Sequence, residues 1–259
     1  MGTPLSEVNV KSLFAGKGLE ISFNRPDKKN AITQNMYHQM ATALSGVYEN
    51  ASIKVVIISG QGGNFTAGND LGDFLKNPCM EKGSPVYDFL QSLVHCPVPV
   101  LMAVEGYAIG IGSTMLLHSE QVFASREAVF AMPFVNLGLV PEAGSSLLLP
   151  RIAGYQRAAD ILLMGEVFDA DMAKEIGLVS RITEPESALK EAVDYAEKLI
   201  KKPKEALVQT KKLLRRDTEA LSARLEIELE LFVASLSSSA AQEAMSAFLE
   251  KRKPDFSNL

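Results

Sequence analysis

Pro99-Val100-Leu101-Met102-Ala103-Val104-Glu105-Gly106-Tyr107-Ala108-Ile109-Gly110-Ile111-Gly112 reads as an apolar strand that runs into a glycine-bearing turn and then into a helix over Gly110 to His118. The same grammar stands earlier in the chain. Lys54 to Ser59, with its β-branched run Val55-Val56-Ile57-Ile58, leads through Ala67-Gly68-Asn69-Asp70 into a helix over Asp70 to Lys76. Short continuous apolar runs of this kind suit strands covered on both faces of a parallel sheet, because neither face has to meet water. Further strands near Gln121 to Ala124 and Ala128 to Met132 make the first two thirds an alternation of strand and helix, an α/β fold.

Outward from that centre, Val8 to Phe14 and Leu19 to Phe23 flank Ala15-Gly16-Lys17-Gly18, the turn chemistry of a hairpin. Thr33 caps a helix whose Met36, Met40, Ala43, Leu44 and Val47 share one stripe. From Pro185 onward helix formers dominate, and the spacing of Leu221, Leu225, Leu229 and Val233 marks a long amphipathic helix. That stripe has no sheet of its own to cover, so it is an oligomer contact or packs back on its own chain. The division expected is a core over residues 1–197 and a helical oligomerisation region over residues 198–259.

The chain has 259 residues, 47% hydrophobic and 22% charged, enough to bury a full core. A net charge of -5 argues against a dedicated nucleic-acid or membrane-surface protein. Cys79 and Cys96 form no CxxC pair, which excludes a disulfide framework and a zinc pattern and fits a reducing compartment. Met1 to Lys11 lacks the features of a signal peptide, and no apolar run is long enough for a membrane span. A cytoplasmic protein is expected. Ser257-Asn258-Leu259 is similar to a peroxisomal Ser-Lys-Leu address without its basic middle residue, which keeps a peroxisomal location open for a eukaryotic source. Neither a metal site nor a bound cofactor is indicated: His38, His95 and His118 lack partners at ligand or triad spacing, and no Walker loop or nucleophile elbow occurs.

Chemistry concentrates in Leu139-Val140-Pro141-Glu142-Ala143-Gly144-Ser145-Ser146, where a single carboxylate stands among apolar residues just ahead of a helix start. Glu142 has two readings. It either favours the dipole of the helix beginning there, or it is a base, made stronger by the desolvation that Phe134, Leu137, Leu139 and Val140 impose. The two glycine turns bear on that choice, because turns entering helices present backbone amides with no internal partner. The N–H groups of Asn69 and Ile111 are the donors in question, and Asp70 is placed to cap the helix after the first turn. Two such donors and one desolvated carboxylate suit enolate chemistry on a thioester, which needs a base at carbon and stabilisation at oxygen. Ser145 and Ser146 have no activating histidine and read as capping residues. The basic run from Lys198 through Lys211, Lys212, Arg215 and Arg216 is a solvated face or a phosphate contact, and Arg25, Lys28 and Lys29 pose the same choice.

Asn24-Arg25-Pro26 with Lys29-Asn30-Ala31, Phe65-Thr66-Ala67-Gly68-Asn69-Asp70-Leu71, Gly106 to Gly112, and Pro141-Glu142-Ala143-Gly144 together resemble, in order and over most of the chain, the crotonase (enoyl-CoA hydratase/isomerase) superfamily. The resemblance implies a spiral of ββα units with a C-terminal helical trimerisation region, assembled as a homotrimer or a dimer of trimers, and an acyl-CoA substrate whose coenzyme A is no separate cofactor. By position, Asn69 and Ile111 would hold the thioester oxygen, while Arg25, Lys28, Lys29, Ala31 and Ala67 would lie along the CoA moiety. The hydratases of the superfamily carry two glutamates. Here Thr114 and Phe134 stand in their places. Glu142 instead matches the single acid/base of monofunctional peroxisomal-type Δ3,Δ2-enoyl-CoA isomerases, which implies transfer of a proton from C2 to C4 of a 3-enoyl-CoA in fatty-acid oxidation. Hydration, another crotonase-type acyl-CoA reaction, or a non-catalytic acyl-CoA-binding module are the alternatives.

Overall fold

Successive residues of the two central strands go to opposite faces and find a core on each. The computed structural model describes residues 6–76, 82–215 and 218–257. After the antiparallel hairpin β1 (Val8–Leu13) and β2 (Gly18–Phe23), and helix α1 (Gln34–Glu49), comes β3 (Val55–Gly60). Helices α2 (Leu71–Lys76) and α3 (Pro85–Val94) then lead to β4 (Val100–Val104). Val56, Ile58, Val100, Met102 and Val104 belong to the main core, whereas Val55, Ile57, Leu101 and Ala103 belong to a second one on the opposite face. This is the two-sided burial expected of continuous apolar strands in a parallel sheet.

Next come β5 (Tyr107–Ile109), α4 (Ile111–Thr114), β6 (Gln121–Ser125), β7 (Val129–Ala131), α5 (Ser145–Ala153), α6 (Tyr155–Met164), β8 (Val167–Asp169), α7 (Ala170–Glu175) and β9 (Arg181–Thr183). The larger sheet has the order β1-β2-β3-β4-β6-β9, parallel apart from its first pair, and a small second sheet has the order β5-β7-β8. The hairpin, the Thr33 cap and the two strand-turn-helix units expected from the sequence are all present. Thr33 Oγ1 accepts the Met36 N–H at 3.2 Å, and the Asp70 carboxylate accepts the N–H groups of Gly72 and Asp73 at 3.1 Å each. The architecture is an α/β fold with a helical C-terminal region.

Four helices close the chain: α8 (Ala188–Ile200), α9 (Lys204–Leu214), α10 (Thr218–Leu236) and α11 (Ser239–Leu249). The first covers the second face of the main sheet. Ala188, Ala192 and Ala196, spaced four apart, are fully buried against Val55, Ile57, Leu101 and Phe123, and such small residues allow helix and strands to approach closely. The boundary expected between residues 197 and 198 therefore falls inside α8. The stripe of α10 also departs from expectation. Leu221 and Leu225 pack on Val94, and Phe232, not Val233, turns inward to meet the ring of Phe74 edge-on at 6.2 Å, so this part of the helix packs back on its own chain. No helix among the described residues is long and apolar enough to cross a membrane.

The basic run is not uniformly solvated. Lys211 is 5% exposed, with its ammonium 2.9 Å from Glu120 and donating to the Val98 carbonyl at 2.6 Å, while Arg215 pairs with Glu120 at 2.9 Å and donates to the carbonyls of Val94 and His118. These contacts pin α9 to the edge of β4, where Glu120 also accepts the Val100 N–H at 2.7 Å. Cys79, Arg216, Asn258 and Leu259 lie outside the described residues. Glu120→Ala leaves the buried Lys211 without its counter-charge and is expected to lower stability by about 3 kcal/mol in urea denaturation.

Candidate active site

The two glycine turns are brought together by strand register. Thr66, after β3, forms an isolated parallel bridge with Ala108 of β5: the Thr66 N–H donates to the Tyr107 carbonyl at 2.8 Å, and the Ile109 N–H donates to the Thr66 carbonyl at 3.0 Å. Asn69 and Ile111 each lie three residues past that bridge, so in-register pairing sets them side by side. Two glycines permit the approach. A Cβ on Gly112 would stand 2.7 Å from Thr66 Cγ2, and one on Gly68 would stand 2.9 Å from the Ile109 carbonyl oxygen at a φ of +92°.

The backbone leaves the two predicted donors free. Ile32 bridges the peptides on either side of Asn69, its N–H donating to the Gly68 carbonyl and its carbonyl accepting the Asp70 N–H, at 2.8 and 2.9 Å. The Asn69 N–H therefore faces away from that bridge. Ile111 is the first residue of α4, where no preceding turn supplies an acceptor. Among the described residues neither N–H has a hydrogen-bond acceptor. Both residues line one cavity of about 600 Å³, with Lys28, Ala31 and Ala67 on one side and Phe134, Leu139, Phe232, Met245, Phe248 and Leu249 on the other.

Arg25 and Lys29 are not among the residues lining that cavity, unlike the other three residues expected along the CoA moiety. The Arg25 guanidinium is taken up by Glu7 at 3.1 Å, Asp70 at 3.0 Å and the Ala31 carbonyl at 2.6 Å, which makes it a strut between the hairpin and the first turn. The Lys29 ammonium sits 4.2 Å from the centre of the Tyr107 ring. Their loop is held open by Asn30, fully buried, whose amide donates to the carbonyls of Gln61 and Asn64 at 2.8 Å each and whose oxygen accepts the Arg25 N–H.

Glu142 is 4% exposed. Its carboxylate accepts the Thr114 hydroxyl at 2.5 Å, and Thr114 lies three residues, one helical turn, beyond Ile111. Thr114, the donor to this acid, thus stands about 4.5 Å along the helix axis from Ile111. Glu142 does not line the large cavity. It lies in a small void of about 20 Å³ with Tyr87, Leu90, Leu225 and Leu229, none of which lines the large cavity. Burial, and then the charge of Glu228, push its pKa up from 4.5 to about 8 against the opposing hydrogen bond from Thr114.

The dipole reading of Glu142 fails for a reason the local sequence does not contain. Helix α5 is capped from another helix: the Glu228 carboxylate of α10 accepts the Gly144 N–H at 2.5 Å and the Ser146 N–H at 2.9 Å. The expected Ser145 and Ser146 caps are likewise replaced, as their hydroxyls donate to the Glu142 carbonyl and to Glu228. The turn itself is tight, with Ala143 at φ 57° in the left-handed region, a cost of roughly 1–2 kcal/mol for a non-glycine residue. His118 offsets it by holding the Ala143 carbonyl, Nε2 to oxygen 2.7 Å, in a fully buried setting that lowers its pKa to about 4 and keeps the ring neutral.

Set beside known proteins, residues 17–258 match the family model for enoyl-CoA hydratase/isomerase. The chain belongs to that family. Over 246 residues it is 33% identical to a 1,2-epoxyphenylacetyl-CoA isomerase of Escherichia coli K12, covering 92% of this chain and 94% of that protein. It is 35% identical over 212 residues to the human enoyl-CoA delta isomerase 2, covering 79% of this chain and 54% of that one. A crystal structure of an enoyl-CoA hydratase/isomerase from Pseudoalteromonas atlantica T6c superposes with a TM-score of 0.92 at 37% identity, over 97% of this chain and 100% of the other. The protein is accordingly an enzyme of the crotonase superfamily acting on acyl-CoA substrates.

Three residues of this family member escaped sequence reasoning. Thr114 carried a signal only as a missing glutamate, not as the donor to Glu142. Tyr37, fully buried, donates its hydroxyl to Asn69 Oδ1 at 2.6 Å, and nothing in its stripe of α1 marks it apart from core. Glu228 is one of several acids on α10. Because the folded state holds the Glu142 proton to about pH 8 instead of 4.5, that group's stabilisation is complete below 4.5 and lost as pH rises through about 8. Glu142→Gln removes this dependence: its Tm minus that of the wild type is expected to climb from about pH 5 to about pH 8 and then level. Thermal scans across that range measure it, and a flat difference contradicts the buried, proton-holding acid.

Proposed function

We propose that this enzyme shifts the double bond of a 3-enoyl-CoA to a 2-enoyl-CoA, with Glu142 as its single acid/base. The observation that carries the reading is one buried carboxylate, poised near neutral pH and held by Thr114, one helical turn past the unused Ile111 amide; the family resemblance puts the two glutamates of the hydratases at Thr114 and Phe134. Hydration requires a held and activated water, which neither a threonine already bonded to Glu142 nor a buried phenylalanine supplies.

In the proposed reaction the ionised Glu142 takes a proton from C2. The C–H electron pair moves into the conjugated system and charge collects on the thioester oxygen, where the Asn69 and Ile111 N–H groups receive it. Protonated Glu142 then delivers the proton to C4, the double bond comes to rest between C2 and C3, and the carboxylate is restored. A pKa near 8 suits both halves, since the group has to accept and release a proton within one turnover. Lys28, exposed at the cavity edge, is placed for a CoA phosphate, and the apolar wall of Phe134, Phe232 and Met245 for the acyl chain. The reading requires the reacting carbons to come within reach of Glu142, which does not line the large cavity. Resemblance to an enoyl-CoA delta isomerase supports it, as does the likeness to a second isomerase.

Two measurements test the proposal. Glu142→Gln is expected to lower 3-enoyl-CoA isomerisation by roughly a hundredfold to ten-thousandfold, with binding of a saturated acyl-CoA little changed; retained turnover refutes it. In deuterated water the wild type is expected to exchange the C2 hydrogen, with kcat/KM rising as pH approaches about 8 and then levelling, in step with ionisation of Glu142. A binding module without catalysis exchanges nothing.

A further inference from the structure

Glu228 is a buried acid, 5% exposed, that the proposed reaction does not use. One of its oxygens accepts the Gly144 N–H at 2.5 Å, and the other accepts the Ser146 N–H at 2.9 Å and the Ser146 hydroxyl at 2.5 Å. All three contacts are donations to it. A carboxylate is acceptor-only when ionised, so this geometry is that of a charged group seated at a helix N-terminus. The residue occupying that seat comes from α10, near the far end of the chain, although Glu142 stands two residues before Gly144 and is the nearer acid in sequence.

We propose that Glu228 is a positioning residue for Glu142: by capping α5 from a separate helix it denies Glu142 the free amides there and leaves the Glu142 carboxylate with Thr114. The inference rests on the reading of Glu142 as the acid/base. Were Glu142 to swing into the cap, the amides and helix dipole would stabilise its ionised form and its carboxylate would leave Thr114 and the neighbourhood of the Ile111 amide. The charge of Glu228 is also among the causes that raise Glu142. Around the pair, Tyr37 of α1 lies near enough to Glu142 to feel its charge, and Thr114 of α4 donates to it. His118 is neutral against the Ala143 carbonyl, and Arg224 of α10 reaches Ser146 Oγ at 3.5 Å, on the Glu228 side.

The test separates this inference from the reading beneath it. Thermal stability against pH is compared for Glu228→Gln and for Glu228→Gln with Glu142→Gln, alongside the pH profile of C2 hydrogen exchange. The pH at which the Glu142-dependent stability difference levels is expected to fall below about 8, and the exchange profile to move with it. A Glu228 that only holds α5 in place lowers Tm and moves neither, which overturns the proposal. A stability transition that moves while exchange shows no dependence on Glu142 upholds the coupling and refutes the catalytic reading instead. Infrared spectra of Glu142→Gln alone cover the case in which Glu228→Gln does not fold. Near neutral pH they are expected to show no band from a protonated buried glutamate, and a persistent band assigned to Glu228 overturns the proposal.

Discussion

The parallel bridge between Thr66 and Ala108 is the contact on which the site depends. Its two hydrogen bonds, at 2.8 and 3.0 Å, lock the exits of β3 and β4 in register, so that Asn69 and Ile111 arrive together. Two backbone amides give useful electrostatic stabilisation only if their spacing is set before the charge develops, because reorienting them during the reaction would consume what they contribute. Register supplies that spacing without any side chain. The glycines at 68 and 112 are its steric condition, since a methyl group at either would push the two turns apart.

A second constraint is the burial of one carboxylate with no cation beside it among the described residues. Glu142 keeps its proton to about pH 8 because the surrounding side chains exclude water and Glu228 adds a like charge, while the Thr114 hydroxyl alone opposes them. Its turn is correspondingly strained at Ala143 and held by His118, whose carbonyl in turn accepts from Arg215 of the C-terminal region. Strain and unpaired burial in one short segment are tolerated when the surrounding structure over-determines them.

That over-determination comes from the last third of the chain. Helix α8 covers the second face of the main sheet, Lys211 and Arg215 anchor α9, and α10 and α11 supply Phe232, Met245, Phe248 and Leu249 to the cavity wall and Glu228 to the α5 cap. These helices complete the core and the site of their own chain. Arg25 works in the same way from the other end, tying Glu7 and Asp70 across the mouth of the first turn, where a charge-assisted contact fixes geometry.

Local chemistry was sufficient for much of this. Runs such as Val55-Val56-Ile57-Ile58 can satisfy both faces only inside a covered parallel sheet, Thr33 and Asp70 cap the helices that follow them, and the amides entering α2 and α4 have no nearby acceptors, so the fold class and the two free amides were legible residue by residue. The roles of Arg25, Thr114, Tyr37 and Glu228 were not, because each depends on a partner more than twenty residues away and on which of several similar side chains the packing turns inward. The same holds for Glu142: its sequence neighbourhood fits a helix-dipole carboxylate and a buried base equally well. The choice fell to α10, whose own acid took the helix terminus and left Glu142 in an apolar void.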